Sequence, residues 1–218
     1  MAVVWPSKNN FANGDVLTAT NMNDIGDTLN VFNPTSATNG QIWVANGSGS
    51  GSFQTVSAAS MTQIETGTLS STSKSTATLP TTYKSLEIWV YGVTVGTAGN
   101  MGIRLNNLTS GYNYIATENA NGTAYNLASN SVAYAYTTGY QLKTTGGLNF
   151  FRIQIPDYNR SARKLIQVNQ YYESADNWQC VGHVNAYYAS GNIAVSTVQF
   201  FAGGVTFNAG TYVVYGVN

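Results

Sequence analysis

A single histidine and a single cysteine are the residues of this chain best suited to act as a general base, a nucleophile or a metal ligand. His183 and Cys180 lie in one alternating segment, residues 180–184, which is typical of a β-strand. No nucleophile-elbow motif accompanies the imidazole, and no cation flanks the thiol to lower its pKa. One histidine and one cysteine cannot form a zinc cluster either. We therefore predict no catalytic residue, no metal site and no cofactor.

Acidic side chains could support glycoside hydrolysis, which needs two carboxylates on facing elements. The acids of the C-terminal part of the chain are scattered singly, so the sequence brings no two of them together. A polysaccharide-degrading enzyme therefore ranks behind the two non-enzymatic functions given below. The acids in question are Glu65, Glu87, Glu118, Asp157, Glu173 and Asp176.

The charge balance excludes a large class of partners. Only 8% of the 218 residues are charged, and nine Lys and Arg balance nine Asp and Glu. Without a net positive field the chain does not attract a polyanion, so we expect no nucleic-acid binding. The sequence has neither an apolar leader after a basic stretch nor a run of about 18 apolar residues. We expect a soluble protein, made in the cytoplasm, that does not insert into membranes.

The basic side chains cluster once, in residues 152–164, which include Arg160 and Arg163. The Pro156-Asp157 pair in this segment favours a turn, so we predict a polar hairpin loop between two strands. A second interpretation is a basic contact with an acidic neighbour, either another subunit or an acidic glycan. This interpretation makes Arg160 and Arg163 candidate recognition or interface residues.

Tyrosine is the most informative residue type, with 15 copies of which several come in local groups. In an adjacent pair on a strand, such as Tyr171-Tyr172 or Tyr187-Tyr188, at most one ring faces the core and the other lies outside. Exposed tyrosines among Asn, Ser and Gly are typical of recognition surfaces and equally of subunit interfaces. Both uses remain open for the candidate residues. These are Tyr112, Tyr114, Tyr134, Tyr136 and Tyr140.

Strand-like patterns position these side chains throughout residues 61–218. Short alternating apolar segments are separated by Gly, Asn, Ser and Pro, with no helical periodicity between them. This pattern predicts an all-β head domain, an antiparallel β-sandwich that is jelly-roll-like. The predicted strands lie at residues 86–91, 102–105, 149–155, 165–169, 180–185, 193–196, 198–200 and 211–215.

Two smaller segments precede this domain. Residues 1–33 carry apolar side chains in steps of three and four, which predict a short amphipathic helix. The helix either packs on its own domain or meets copies of itself, because so short a helix is marginal alone. Residues 34–60 are predicted to form a small β connector, with strands at 41–45 and 52–56; a flexible linker is the rival interpretation. The predicted oligomer seam consists of Met22, Ile25, Leu29 and Phe32.

Several segments of the chain carry a resemblance to a known class of proteins. The stretch Leu79-Pro80-Thr81-Thr82-Tyr83-Lys84-Ser85-Leu86 and the ending at residues 207–217 are the more specific parts within residues 61–218. This region resembles the β-sandwich domain of tailed-bacteriophage virion structural proteins. Residues 11–23 resemble the opening of many phage tail-fibre and appendage proteins, where such segments attach to the virion.

The resemblance implies a homotrimeric, non-enzymatic virion component. We accordingly predict a trimeric tail or head fibre, in which residues 1–33 anchor and trimerise the chain and the β-sandwich head attaches to the host surface. Three identical heads would gain avidity for a repetitive cell-surface glycan. The alternative is a capsid decoration or cement protein that stabilises the shell. The expected partners are other copies of the chain, virion proteins of the tail, portal vertex or capsid, and a host glycan.

Overall fold

The computed structural model describes residues 41–45, 51–55, 61–146 and 148–218. Within these residues all regular structure is β-strand, which confirms the predicted all-β class. The chain divides into two compact units, Met1–Ala59 and Ser60–Asn218.

The first unit contributes one described sheet. Strand β1 (Gln41–Ala45) pairs antiparallel with β2 (Gly51–Thr55), and Trp43 lies opposite Phe53 in the register. The predicted N-terminal helix lies outside the described residues and stays a prediction. The same holds for its seam of Met22, Ile25, Leu29 and Phe32.

The second unit contains twelve strands, which form two antiparallel sheets. They are β3 (Met61–Thr68), β4 (Ser73–Ser75), β5 (Ser85–Val95), β6 (Gly102–Leu105), β7 (Tyr112–Ala120), β8 (Thr123–Val132), β9 (Ala135–Tyr136), β10 (Phe150–Ile155), β11 (Ala162–Glu173), β12 (Gln179–Ile193), β13 (Val198–Phe201) and β14 (Phe207–Val217).

The two sheets of this unit differ in size. The large sheet has eight strands in the order β3-β14-β5-β10-β11-β12-β7-β8, and the small sheet has four in the order β4-β13-β6-β9. Both are antiparallel in every pairing. The predicted antiparallel β-sandwich is thus confirmed, with one broad layer and one narrow layer.

Alternation along the strands of the large sheet decides which face is buried. On β11, Ile166, Val168 and Tyr172 are buried, while the side chains between them, such as Asn169 and Tyr171, are exposed. Successive side chains of a strand point to opposite faces, so this pattern gives the sheet one inner and one outer face.

The inner faces of the two sheets share one hydrophobic core. The rings of Phe200 on β13 and Tyr212 on β14 are 4.8 Å apart between centroids. The Tyr112 hydroxyl accepts a hydrogen bond from the backbone N–H of Leu105 at 2.7 Å, which ties β7 to β6. These contacts join the two layers, and within the described residues 61–146 and 148–218 no third sheet packs on the outer face of the large sheet.

A two-residue turn joins β7 to β8. Ala120 pairs with Thr123, and the turn residues Asn121 and Gly122 have φ angles of 50° and 83°. Two successive positive φ values are typical of a type I′ turn, for which Asn-Gly is the preferred sequence. The turn places an exposed asparagine at the end of the large sheet.

Candidate recognition surface

An exposed row of apolar side chains crosses the outer face of the large sheet. Tyr91 on β5 pairs with Phe150 on β10, Phe150 pairs with Tyr171 on β11, and Tyr171 pairs with Val181 on β12. Directly paired residues point to the same side of a sheet. Their exposed fractions are 43%, 41%, 38% and 52% in that order. We call these four residues the aromatic row.

The residues that adjoin the row members along their strands explain why the row faces the solvent. Val90 precedes Tyr91, Phe151 follows Phe150, and both are fully buried in the core. Because side chains alternate between faces, burial of these neighbours leaves the row to the solvent. The row is therefore a consequence of core formation on four adjacent strands.

A second row of side chains lies beside the first on the same face. Its members hold successive register positions on β5, β10, β11, β12 and β7. All of them carry hydrogen-bonding groups, and all except the half-buried Trp89 are exposed. They are Trp89, Arg152, Asn169, His183 and Thr117.

Trp89 connects this second row to the aromatic row. Its ring lies edge-on to Phe150 at 6.4 Å and tilted against Tyr215 at 5.1 Å. The indole Nε1–H donates a hydrogen bond to Glu87 Oε1 at 2.7 Å. Trp89 is thus fixed at both its apolar and its polar edge.

The charges beside Trp89 neutralise each other. Arg152 Nε and Nη2 donate to the two carboxylate oxygens of Glu87 at 2.7 and 2.8 Å, and Gln154 Nε2 donates at 3.3 Å. The hydrogen bonds from Arg152 hold the pKa of Glu87 below its ordinary value. They raise the pKa of Arg152 in turn. This paired charge leaves no net charge next to the row.

An amide-lined cavity of about 560 Å³ lies at the β12 end of the row. Val181 belongs to both the row and the cavity wall. Asn119 pairs with Val181 in the register, and its Oδ1 accepts a hydrogen bond from Gly122 N at 2.9 Å. The other wall residues come from the β7–β8 turn, from the β11–β12 connection and from the first position of β12. They are Asn121, Asn177 and Gln179.

A separate apolar groove of about 270 Å³ lies on the same face, toward the opposite end of β7 and β12 from the amide cavity. Ile115, Leu165 and Tyr187 line it, with Ile115 as the most exposed of the three. Asn113 Nδ2 donates a hydrogen bond to the Tyr187 hydroxyl at 2.8 Å. Leu165 and Tyr187 face each other in the register of β11 and β12.

The tyrosines proposed from sequence fall into three different environments. Tyr112 is fully buried and stacks edge-on with Tyr188 at 5.4 Å, and burial raises the pKa of its hydroxyl to about 12. It has no exposed surface to offer a partner. The other four tyrosines are half-buried.

Three of them stack on or beside the small sheet. Tyr136 lies 5.1 Å from Tyr114 and 4.4 Å from Tyr134, and Tyr134 lies 5.0 Å from Phe201. The Arg104 guanidinium lies 4.0 Å from the Phe201 ring centroid, within cation–π distance. Burial raises the pKa of Tyr134 and Tyr114.

Tyr140 belongs to a third group, with Tyr125 at 5.2 Å and Trp178 at 5.3 Å. Tyr125 and Trp178 are partly exposed, so this group also reaches the surface. The sequence-proposed tyrosines do not form one site, and none of them belongs to the aromatic row.

The basic segment is a hairpin loop between β10 and β11, as predicted. Arg160 and Arg163 are exposed, and Arg160 Nε lies 3.9 Å from Asp157 Oδ1. Lys164 is buried instead, and its Nζ donates to the carbonyl oxygens of Asp157 and Arg160 at 2.6 Å each. Burial lowers the pKa of Lys164. The segment therefore presents three exposed cations, of which Arg152 is paired with Glu87, rather than a continuous basic surface.

Glu118 is the most buried acid of those described. It accepts hydrogen bonds from the Tyr172 hydroxyl at 2.7 Å, from Gln170 Nε2 at 2.6 Å and from Gly139 N at 3.1 Å. Burial, together with the Glu118 charge, raises the pKa of Tyr172. These contacts give Glu118 a structural role in joining β7, β11 and the segment that contains Gly139.

Two of the remaining candidate acids, Glu65 and Glu173, have partners of their own. Glu65 accepts from the Tyr212 hydroxyl at 2.6 Å, and Glu173 pairs with Lys143 at 2.6 Å. Cys180 is buried in the core as predicted, where desolvation and then the Glu118 charge raise its pKa to about 12. His183 is exposed on the outer face. In the described ranges, no group of three His, Cys, Asp or Glu could hold a metal ion.

Known proteins give no further guide to this surface. No family model, no curated protein and no solved structure matches the chain. No helix in the described part of the chain is long and apolar enough to span a membrane.

Proposed function

We propose that this chain is a non-enzymatic structural protein of a phage virion. In this proposal it is a trimeric appendage whose jelly-roll-like C-terminal β-sandwich attaches to the host surface. The observation that carries the attachment role is the aromatic row, Tyr91, Phe150, Tyr171 and Val181. A continuous line of exposed apolar side chains on a folded domain indicates a contact surface.

The strands and the core beneath the aromatic row give a contact surface a rigid base. Its four strands lie in the interior of the large sheet, each with a hydrogen-bonded neighbour on both sides. Beneath the row, the rings of Phe151 and Tyr172 stack at 6.0 Å in the core. A partner would therefore meet side chains on a rigid base and lose little conformational entropy on binding.

The position on a virion is inferred from the sequence resemblance of residues 11–23 and 61–218. The division into the units Met1–Ala59 and Ser60–Asn218 supports separate roles for an attaching segment and a displayed head. In a trimer, three copies of a weak contact surface would act together, and the avidity would exceed the affinity of one head.

The copy number of the chain in purified virions tests this proposal. Quantitative mass spectrometry should give a few percent or less of the major capsid protein, since appendages occupy the tail or a vertex. A ratio close to that of the capsid protein would contradict the appendage and favour the alternative, a capsid decoration protein. Absence from virions would overturn both.

Competition for adsorption tests the attachment role separately. The purified full chain, added to host cells before the virions, should lower the fraction of virions adsorbed. An unrelated β-sandwich protein of similar size is the control. Unchanged adsorption at saturating concentrations of the chain would contradict host attachment.

A further inference from the structure

We propose that the aromatic row and the amide-lined cavity together bind a neutral oligosaccharide. Sugar rings would lie along Tyr91, Phe150 and Tyr171, and one sugar unit would enter the cavity beside Val181. This inference rests on the proposed function, because it names the chemical class that the attachment surface recognises.

The shape of the surface suits a chain of linked rings. The row crosses three intervals between neighbouring strands, which amounts to about 14 Å at the usual strand spacing. It continues directly into the cavity, because Val181 lies in both and Asn119 is its register partner. The result is a straight apolar strip that ends in a polar recess, and a short oligosaccharide can follow both.

The chemistry of the strip and of the recess matches the two kinds of surface on a sugar. One face of a pyranose ring carries C–H groups, which pack on the faces of aromatic side chains, while its hydroxyl groups both donate and accept hydrogen bonds. Tyrosine offers an apolar ring with a polar tip. The side-chain amides of Asn121, Asn177 and Gln179 each offer a donor and an acceptor for hydroxyl groups.

The charge of the surface selects against an ionic ligand. The row and the cavity wall contain no charged side chain. Two ion pairs lie beside them: Glu87 with Arg152 through two hydrogen bonds, and Glu173, the register partner of Gln179, with Lys143 at 2.6 Å. The carboxylate of an acidic sugar would lose its hydration on binding here without forming an ion pair in return, and such desolvation is costly.

The width of the row favours a glycan over a second copy of the chain. The row is one residue wide, and exposed Asn169, His183 and Thr117 lie beside it in the adjacent row. The centre of a stable protein interface is depleted of exposed polar groups and buries a broad apolar area. A narrow strip with hydrogen-bonding flanks fits an amphipathic ligand better.

Binding of defined oligosaccharides to the full chain tests the inference. The probes are linear tetra- to hexasaccharides of glucose, galactose, mannose and N-acetylglucosamine, with sialylated and uronic-acid oligosaccharides as charged counterparts, measured by isothermal titration calorimetry. We expect at least one neutral probe to bind, and Tyr171→Ala to weaken that binding more than fivefold. Asn177→Gly should also weaken it, because it removes an amide but keeps the positive φ of 62°.

Tyr187→Ala is the matched control, because Tyr187 has a similar exposed fraction on the same face but lies in the separate groove. Its binding should stay within twofold of the unsubstituted chain. Melting temperatures of all variants show whether a loss of binding reflects a loss of folding. A folded Tyr171→Ala variant with unchanged binding would overturn the inference, as would the absence of binding to every neutral probe.

Three further results would separate this inference from the proposed function. If the chain blocks virion adsorption but binds only charged probes or none, the attachment role stands and the neutral glycan is wrong. If Tyr171→Ala lowers the solution mass of the chain, the row is an interface between copies and the glycan inference is wrong. If neutral probes bind at the row but the chain is absent from virions, the virion proposal is wrong and the binding site stands.

Discussion

The guanidinium group of Arg152 donates hydrogen bonds to both carboxylate oxygens of Glu87 on the outer face of the large sheet, at 2.7 and 2.8 Å. The two residues lie on neighbouring strands, two positions apart in register, since Arg152 pairs with Trp89 and Glu87 pairs with Gln154. Bidentate pairs of this kind are the strongest side-chain hydrogen bonds between ions. Glu87 also accepts a hydrogen bond from the Trp89 indole, which fixes that ring beside Phe150 of the aromatic row.

Replacement of this carboxylate should lower stability in a pH-dependent way. Glu87→Gln loses charged hydrogen bonds, and we expect the free energy of unfolding at pH 7 to fall by about 1–3 kcal/mol. The folded pKa of Glu87 lies below its ordinary value of 4.5, so the unfolded chain binds this proton more tightly. The stabilisation is thus present above pH 4.5 and is lost as the pH falls through the folded pKa.

Urea unfolding of the variant and the unsubstituted chain between pH 3 and pH 7 measures this effect. The difference in unfolding free energy should be largest at pH 7 and should shrink at the acidic end. Asp176→Asn, at an exposed acid, is the control and should change stability at pH 7 by less than about 0.5 kcal/mol. A constant difference across the pH range would contradict the role given to Glu87.

Loss of the hydroxyl should lower stability at one of the two adjacent tyrosines of β11 and leave it unchanged at the other. The Tyr172 hydroxyl donates to Glu118 at 2.7 Å and accepts from Tyr140 N at 2.8 Å, both in the interior. Tyr172→Phe removes one of the three donors to Glu118 and the acceptor of Tyr140 N, and we expect a loss of about 1–3 kcal/mol in thermal or urea unfolding. Tyr171→Phe keeps the exposed ring, and its stability should stay within about 0.5 kcal/mol. Equal effects at the two positions would be inconsistent with this arrangement.

The predicted alternation within tyrosine pairs is confirmed by these positions. Tyr172 is fully buried and Tyr171 is exposed, and Tyr188 and Tyr187 divide in the same way. The period of two along a strand fixes this outcome without any tertiary information. Strands with clear alternation, such as β5 and β11, could be predicted from sequence for the same reason.

Strands β3, β4, β7, β8 and β9 were not predicted, and of the strand predicted at residues 193–196 only Ile193 lies in a strand. The composition of β8 explains why it was missed. β8 lies at the edge of the large sheet and is exposed along most of its length, so Asn, Ser and Ala replace the apolar side chains of a core strand. Its alternation is correspondingly weak. The Asn121-Gly122 pair was the available signal, because Asn-Gly between two strands indicates a hairpin.

The aromatic row could not be predicted from sequence. Its members lie on four strands, and Tyr91 is separated from Phe150 by residues that form four other strands. Only the register between β5, β10, β11 and β12 brings the side chains into line. The alternation within a strand indicates which face a side chain occupies, but it does not show which distant strand is the neighbour or which residues lie opposite each other. Tyr112 was a candidate because it lies close to Tyr114 in the sequence, but it is a core residue.

The buried Lys164 should stabilise the loop between β10 and β11. Its Nζ bridges the carbonyl oxygens of Asp157 and Arg160, so Lys164→Met leaves both acceptors without this donor. We expect a loss of about 1–3 kcal/mol in urea unfolding. Arg163→Met, at the exposed neighbouring position, is the matched control and should have little effect. A neutral result for Lys164→Met would contradict the bridging role.

The apolar seam predicted in residues 1–33 should determine the oligomeric state. Met22, Ile25, Leu29 and Phe32 follow helical spacing, and the proposed appendage requires them to meet in a trimer. Light scattering of the full chain should then give three times the 23.3 kDa mass of one chain. A charge in such a seam is unpaired and buried, so Ile25→Asp combined with Leu29→Asp should give the monomer mass.

Asn23→Asp and Thr28→Asp form the control pair, because they add the same charge at positions off the predicted seam. This control should keep the mass of the unsubstituted chain. A monomeric full chain would contradict both the seam and the avidity of the proposed appendage. A trimer that survives the Ile25→Asp and Leu29→Asp substitutions would instead place the subunit contacts elsewhere, and the exposed apolar side chains of the large sheet would become the first surface to substitute.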